Sequence, residues 1–146
     1  MKVAVTGARS NRAEWAEVQN IPLEQLPPLT PEQERTADEL RIPREMYQRS
    51  ALANRRVAEK QLRETEWFAK LLQKELSERA PQAKINSVVF DTWQGEFQIE
   101  IAVNGKSLPL HISEAIVEQL FALGSGDAER QLTQMLEYTL HRFGVL

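Results

Sequence analysis

The sequence predicts an α+β protein: a helical arm with one long helix, then a three-stranded antiparallel β-meander and two closing α-helices. Three observations carry this reading. Residues 43–80 contain no glycine and no interior proline. Residues 84–112 switch to a period of two, with Phe97, Ile99, Ile101 and Val103 alternating with Glu96, Gln98, Glu100 and Ala102, the pattern of a half-buried strand. Beyond them, apolar residues return at spacings of three and four to the end of the chain, as amphipathic helices require.

The predicted organisation is an extended segment over 1–29, disordered or added to a sheet edge, a helical arm over 30–80 and a βββαα domain over 84–146. The first segment holds a short helix near 12–18. Residues 20–29 read as an extended linker, because Pro22, Pro27 and Pro28 lack a backbone donor and hold their predecessors extended. Thr30-Pro31-Glu32-Gln33 opens the arm: an N-cap threonine, proline at the first helical position and a glutamine placed to reach back to the cap. Glu32 and Glu34 fall in the first turn, where the helix dipole favours negative charge. Pro43 disfavours helical backbone at Ile42, so this first helix ends near Leu40 and a second starts at Pro43.

The second helix runs to about Ala80, where Pro81 stops it. At 1.5 Å per residue it is roughly 55 Å long, more than the core of a small domain can cover. One stripe along it is Tyr47, Ala51, Asn54, Ala58, Leu62, Thr65, Ala69, Leu72 and Leu76. The stripe is small and mixed before Leu62 and strongly apolar after it. The second half is therefore expected on the core, and Tyr47, Ala51, Asn54 and Ala58 form a candidate interaction face.

Val88, Phe90 and Thr92 precede the central strand, and Leu108, Leu110 and Ile112 follow it. Gln94-Gly95 and Asn104-Gly105 are the connections, the second a strong two-residue hairpin signal. Pro109 marks the third strand as an edge. Ser113 is the expected cap of the next helix, with Ile116, Val117, Leu120 and Phe121 as its apolar set. Gly124-Ser125-Gly126 breaks it. Asp127 caps the last helix, whose apolar face is Ala128, Leu132, Met135, Leu136, Thr139, Leu140 and Phe143, and Gly144 sits where a left-handed residue ends a helix.

Several chemistries are excluded or left without support. The chain of 146 residues has no cysteine, which removes disulfides, thiol nucleophiles and cysteine-ligated metals. No apolar run approaches the ~20 residues of a membrane span, and the N-terminus has no secretory pattern; a cytoplasmic location is expected. The net charge of −3 argues against wholesale binding of polyanions. Lys2-Val3-Ala4-Val5-Thr6-Gly7 resembles the start of a nucleotide-binding strand, but the next glycine is Gly95, and a glycine-rich phosphate loop needs its second glycine within a few residues. Glu96 and Glu100 on one strand face are roughly 13 Å apart, too far for a paired acid and base. His111 and His141 have no ligand partner at helical or hairpin spacing. No catalytic, cofactor or metal residue is assigned, and the protein is not expected to be an enzyme.

Two surfaces remain. Arg49, Arg56, Lys60 and Arg63 share one stripe of the long helix with Trp67, Lys70 and Lys74. Cations interleaved with an aromatic suit phosphate and base contact, so Arg49, Arg56, Lys60, Arg63 and Trp67 are candidate nucleic-acid contacts. The competing reading is a solvated face with pairs Glu59–Arg63, Lys60–Glu64 and Glu66–Lys70 at helical spacing, and it is preferred. The leading functional expectation is an interaction or assembly protein that self-associates through the long helix or binds a protein partner. A nucleic-acid-associated accessory protein is the alternative. A small-molecule or catalytic site between the sheet and the last two helices is the third, and an enclosed pocket lined by Asp91, Trp93 and His111 would support it.

Leu29-Thr30-Pro31-Glu32-Gln33 followed by Ala37, Leu40, Ile42 and Tyr47 resembles a helical pattern of phage and prophage head-region proteins, L-T-x-E-Q-x(3)-A-x(2)-L-G-I-x(4)-Y. Arg41 stands where that pattern has glycine, at the tight turn between its two helices. The resemblance covers under twenty residues and implies a mobile-element protein with an assembly role. It carries no catalytic residue over.

Overall fold

A computed structural model describes residues 1–7, 12–123 and 126–145. The predicted break at Gly124-Ser125 lies outside the described residues. The chain divides into two compact units, one of Met1–Gly7 with Leu62–Leu146 and one of Ala8–Gln61. The unbroken 36-residue helix α3, Arg44–Arg79, supplies residues to both.

The larger unit is built on a mixed sheet of four strands in the order β1-β2-β3-β4: β1 (Lys2–Thr6), β2 (Lys84–Asp91), β3 (Glu96–Val103) and β4 (Lys106–Ser113). The predicted three-stranded meander is present as β2 to β4, and the correction is β1. It pairs parallel with β2, Val3 opposite Val88 and Val5 opposite Phe90. Val3 and Val5 pack against the core, which is why this short segment joins the sheet. Its Gly7 has φ +85° and lies against the Trp93 indole, where an added Cβ would come within 2.8 Å of Nε1. The glycine thus serves a turn and a close packing contact.

The antiparallel strands follow their sequence closely. Ile85, Val88 and Phe90 of β2, Phe97, Ile99, Ile101 and Val103 of β3, and Leu108, Leu110 and Ile112 of β4 are buried in one cluster. The step of three from Ile85 to Val88 is absorbed by a bulge between Ile85 and Ser87, which keeps both side chains on the core face. The Gln73 side chain of α3 accepts the Ile85 N–H at 2.9 Å. Asn104 (φ +51°) and Gly105 (φ +77°) make the expected hairpin with both central residues left-handed. Its closing pair is Val103 and Lys106. Hydrogen-bonded pairs alternate along such a ladder, so Pro109, opposite Glu100, falls between them and costs the sheet no bond.

Helices close the core face. α3 contributes the buried Thr65, Phe68, Ala69, Leu72 and Leu76, at the predicted spacing. α4 (Glu114–Leu123) buries Val117 and Leu120, and α5 (Gly126–Arg142) buries Ala128, Leu132, Leu136, Thr139 and Leu140. Ser113 ends β4 and directly precedes α4, the cap position the sequence suggests, whereas Asp127 lies inside the first turn of α5, beside Arg130. Gly144, at φ +74°, ends α5 as expected, with the Val145 N–H reaching the Leu140 carbonyl at 2.8 Å. Arg79 pins the end of α3 to α5 through Thr133 Oγ1 at 3.2 Å and Glu137 at 3.5 Å. No helix among the described residues is long and apolar enough to cross a membrane.

The smaller unit holds α1 (Arg12–Gln19), a 3-10 turn at Leu23–Gln25, α2 (Pro31–Glu39) and the first part of α3. Over 1–29, β1 takes the expected sheet-edge alternative and α1 covers the short helix expected near 12–18, while the turn at Leu23–Gln25 interrupts the expected extended linker. Thr30 and Gln33 form the expected reciprocal cap, Thr30 Oγ1 accepting the Gln33 N–H at 3.2 Å and Gln33 Oε1 the Thr30 N–H at 3.0 Å. The core cluster is small: Val18, Leu26, Leu52 and Ala53, with Ile21 half-buried against it. On α3 this unit buries Leu52 and Ala53, while Tyr47 and Ala51 are half-buried and Asn54 and Ala58 exposed. The predicted stripe is thus a single seam only in the second half of the helix.

α2 ends in a left-handed residue that is not glycine: Arg41 has φ +56°. The Ile42 N–H reaches the Ala37 carbonyl at 2.9 Å and the Arg41 N–H the Asp38 carbonyl at 3.1 Å, the paired bonds of a Schellman end. An arginine there crowds its own Cβ against the backbone. Arg41→Gly is expected to stabilise the chain by about 0.5–1 kcal/mol, the relief of that crowding less the greater entropy of the unfolded glycine. Urea denaturation of the two proteins checks it, and an unchanged or lower midpoint would contradict the assignment.

Candidate functional site

Of the candidate residues on the long helix, Tyr47, Ala51, Asn54 and Ala58 and the cations Arg49, Arg56 and Lys60 belong to the smaller unit, and Arg63 and Trp67 to the larger. In the smaller unit, Arg49 is not a free cation. Its Nη1 donates to the carbonyls of Val18, Gln19 and Ile21 at 2.8, 3.3 and 2.8 Å, and its Nη2 to Glu45 at 2.9 Å. Only 11% of the side chain is exposed. α1 ends at Gln19, so the guanidinium satisfies carbonyls that a helix end leaves without partners and places its charge at the negative pole of the helix dipole. Arg56 is half-buried and Lys60 exposed, and neither has a hydrogen bond or ion pair among the described residues.

The smaller unit carries a groove of about 180 Å³, walled by Pro27, Pro28 and Leu29 on one side and by Gln48, Ala51 and Leu52 of α3 on the other. Gln48 donates to the Pro27 carbonyl at 3.3 Å, which ties the two walls together. Of the four residues nominated from sequence, Ala51 lines this groove. From Asn54 to Glu64 no residue of α3 is buried, about three turns of helix. Arg55 and Glu59 pair there at 3.7 Å.

At the turn between α2 and α3, Arg44 donates to both Asp38 oxygens, at 3.2 and 2.8 Å, and approaches Glu34 at 3.5 Å. These hydrogen bonds hold the Asp38 carboxyl below the usual aspartate value, and the same hydrogen bonds, with the nearby Asp38 charge, raise Arg44.

In the larger unit, Arg63 is exposed and unpaired among the described residues. Trp67 stacks on Phe121 of α4, ring centroids 4.0 Å apart and planes tilted by 34°. Sequence reasoning placed Phe121 among the core residues of α4; it is instead 43% exposed, and Trp67 39%. The pairing of the two rings joins residues over fifty positions apart, and spacing within either helix carries no signal for it.

Among the described residues, Asp91 and His111 are linked only through intermediaries: the Gln98 amide donates to Asp91 Oδ2 and Glu96 Oε1, each at 3.4 Å, and Glu96 meets His111. Asp91 Oδ1 accepts the N–H groups of Trp93 and Gln94 at 3.0 and 3.3 Å, an arrangement that shapes the β2–β3 turn. Trp93 is 82% exposed. His111 Nδ1 contacts Glu96 Oε1 at 3.1 Å across the β3–β4 ladder. Among the described residues no group of three or more histidine or carboxylate side chains is placed to hold a metal ion.

Compared with protein-family models, curated proteins and solved structures, the chain matches none.

Arg49→Ala should destabilise the smaller unit by about 1–3 kcal/mol, since three carbonyls lose a charged donor. Arg49→Lys should recover only part of this, because an ammonium lacks the planar fork. Chemical denaturation read by helix content checks both, and wild-type stability in Arg49→Ala would show that the contacts contribute nothing.

Proposed function

We propose that this chain is a non-enzymatic interaction and assembly protein that self-associates through the long helix, within the unit Ala8–Gln61. The single observation that supports this most is the imbalance between that unit's core and its surface. Its core cluster is Val18, Leu26, Leu52 and Ala53, with no aromatic residue. Trp15, Leu23, Leu40 and Met46 are meanwhile exposed, at 39%, 50%, 61% and 52%. A unit of this size buries too little apolar surface to be stable on it alone, and such units commonly gain the remainder by association.

The flank of α3 around Asn54 and Ala58 suits that contact. Both are exposed, and their small side chains let another backbone approach closely. The resemblance of Leu29 to Tyr47 to phage and prophage head-region proteins agrees with an assembly role in a mobile element.

Sedimentation velocity across a concentration series tests the reading. The wild-type chain should show a concentration-dependent dimer or larger species. Ala58→Arg breaks no buried contact of the single chain and should move the distribution to monomer with unchanged helix content. A monomer at concentrations well above micromolar, or an assembly indifferent to Ala58→Arg, would overturn it.

A further inference from the structure

On the larger unit, the flank of α3 beyond Arg63 has a feature that self-association of the smaller unit does not use. Trp67 and Phe121 form a stacked aromatic pair left two-fifths open to solvent. Arg63, Lys70 and Lys74 lie on the same stripe of the helix and are exposed. Helical spacing suggests that Glu66 neutralises Lys70 and Glu59 neutralises Arg63. Neither pair forms: Glu59 turns to Arg55, and Arg63, Lys70 and Lys74 have no hydrogen bond or ion pair among the described residues. Three unpaired cations therefore flank an open aromatic pair along about 16 Å of helix.

We propose that this flank binds single-stranded nucleic acid, with phosphates against Arg63, Lys70 and Lys74 and a base laid on the open side of the Trp67–Phe121 pair. Charge complementarity supplies the polyanion, and the aromatic pair selects unpaired bases over a purely acidic polypeptide, since every base offers a face for stacking. Arg49, which the stripe would otherwise include, is committed to the end of α1. Glu66, exposed beside Trp67, and a net charge of −3 oppose binding, so the complex is local and salt-sensitive.

The test uses the full chain and a fluorescein-labelled oligothymidylate, read by anisotropy at low salt. Three phosphate contacts on a single strand give a salt slope of about −2, so a tenfold rise in salt should weaken binding about 100-fold. Replacing Arg63, Lys70 and Lys74 together by glutamine should abolish binding, and Glu66→Gln should strengthen it. All four side chains are exposed, so these variants keep the fold, which circular dichroism verifies. In a chain carrying Trp15→Phe and Trp93→Phe, the fluorescence of Trp67 should be quenched on binding. Absence of binding at low salt overturns the proposal, as does equal binding by the triple variant. Equal affinity for poly-glutamate, without a change in Trp67 fluorescence, overturns it in favour of an acidic protein partner.

Discussion

One uninterrupted helix governs this molecule. From Tyr47 to Arg79 every residue can donate its backbone N–H to the turn before it, because the run holds neither proline nor glycine. The same run of backbone supplies core residues to two units of unequal depth. In the larger, Phe68, Leu72 and Leu76 meet a sheet whose inner face is a continuous sheet of Val, Ile, Leu and Phe. In the smaller, Leu52 and Ala53 cluster with Val18, Leu26 and the half-buried Ile21. Between the two stretches lie about three turns in which nothing is buried. Helix there is held by its own hydrogen bonds and good helix-forming residues, which contribute only marginally by themselves.

The consequence is a difference in what stabilises each unit. The sheet unit rests on the hydrophobic effect, with Phe90, Phe97 and Phe68 packed ring to ring at 4.7–4.9 Å between centroids. The helical unit rests to a greater extent on polar fastenings: the Thr30–Gln33 cap, the Arg44–Asp38 fork and the Arg49 clamp on the end of α1. Such bonds fix geometry well but contribute modestly in net terms, since water offers the same groups partners in the unfolded chain. Exposed Trp15, Leu23, Leu40 and Met46 are then a reservoir of unburied apolar surface, and the assembly role proposed above is the use that reservoir suggests.

How much of this was legible in the sequence depends on how local its cause is. The Thr30 cap, the Asn104-Gly105 hairpin and the Gly144 helix end are written in a few adjacent residues, and each stands where spacing places it. So do the long helix and the alternating strands. What escaped is decided by residues far apart. A sheet edge is one of two places expected for the N-terminal segment, but no periodicity in a five-residue strand announces that Lys2 pairs with Ser87. The buried side of early α3 was hidden because Ala51, Ala53 and Ala58 look alike; Val18 and the Arg49 contacts decide which of them is covered. Arg41 shows a third kind of miss, a residue that departs from the expected glycine while the backbone keeps the left-handed turn. For the candidate site, the nominated cations were in the sequence, but only the structure separates Arg49, with its donors occupied, from Arg63, without partners.

Amide hydrogen exchange, followed residue by residue at two protein concentrations, addresses the central claim most directly. The sheet amides and those of α3 after Leu62 should be strongly protected at both. Amides of α1, α2 and early α3 should exchange far faster at low concentration and gain protection as concentration rises. Uniformly strong protection of both units in dilute solution would show that the helical unit is sufficient on its own, and the account would fail.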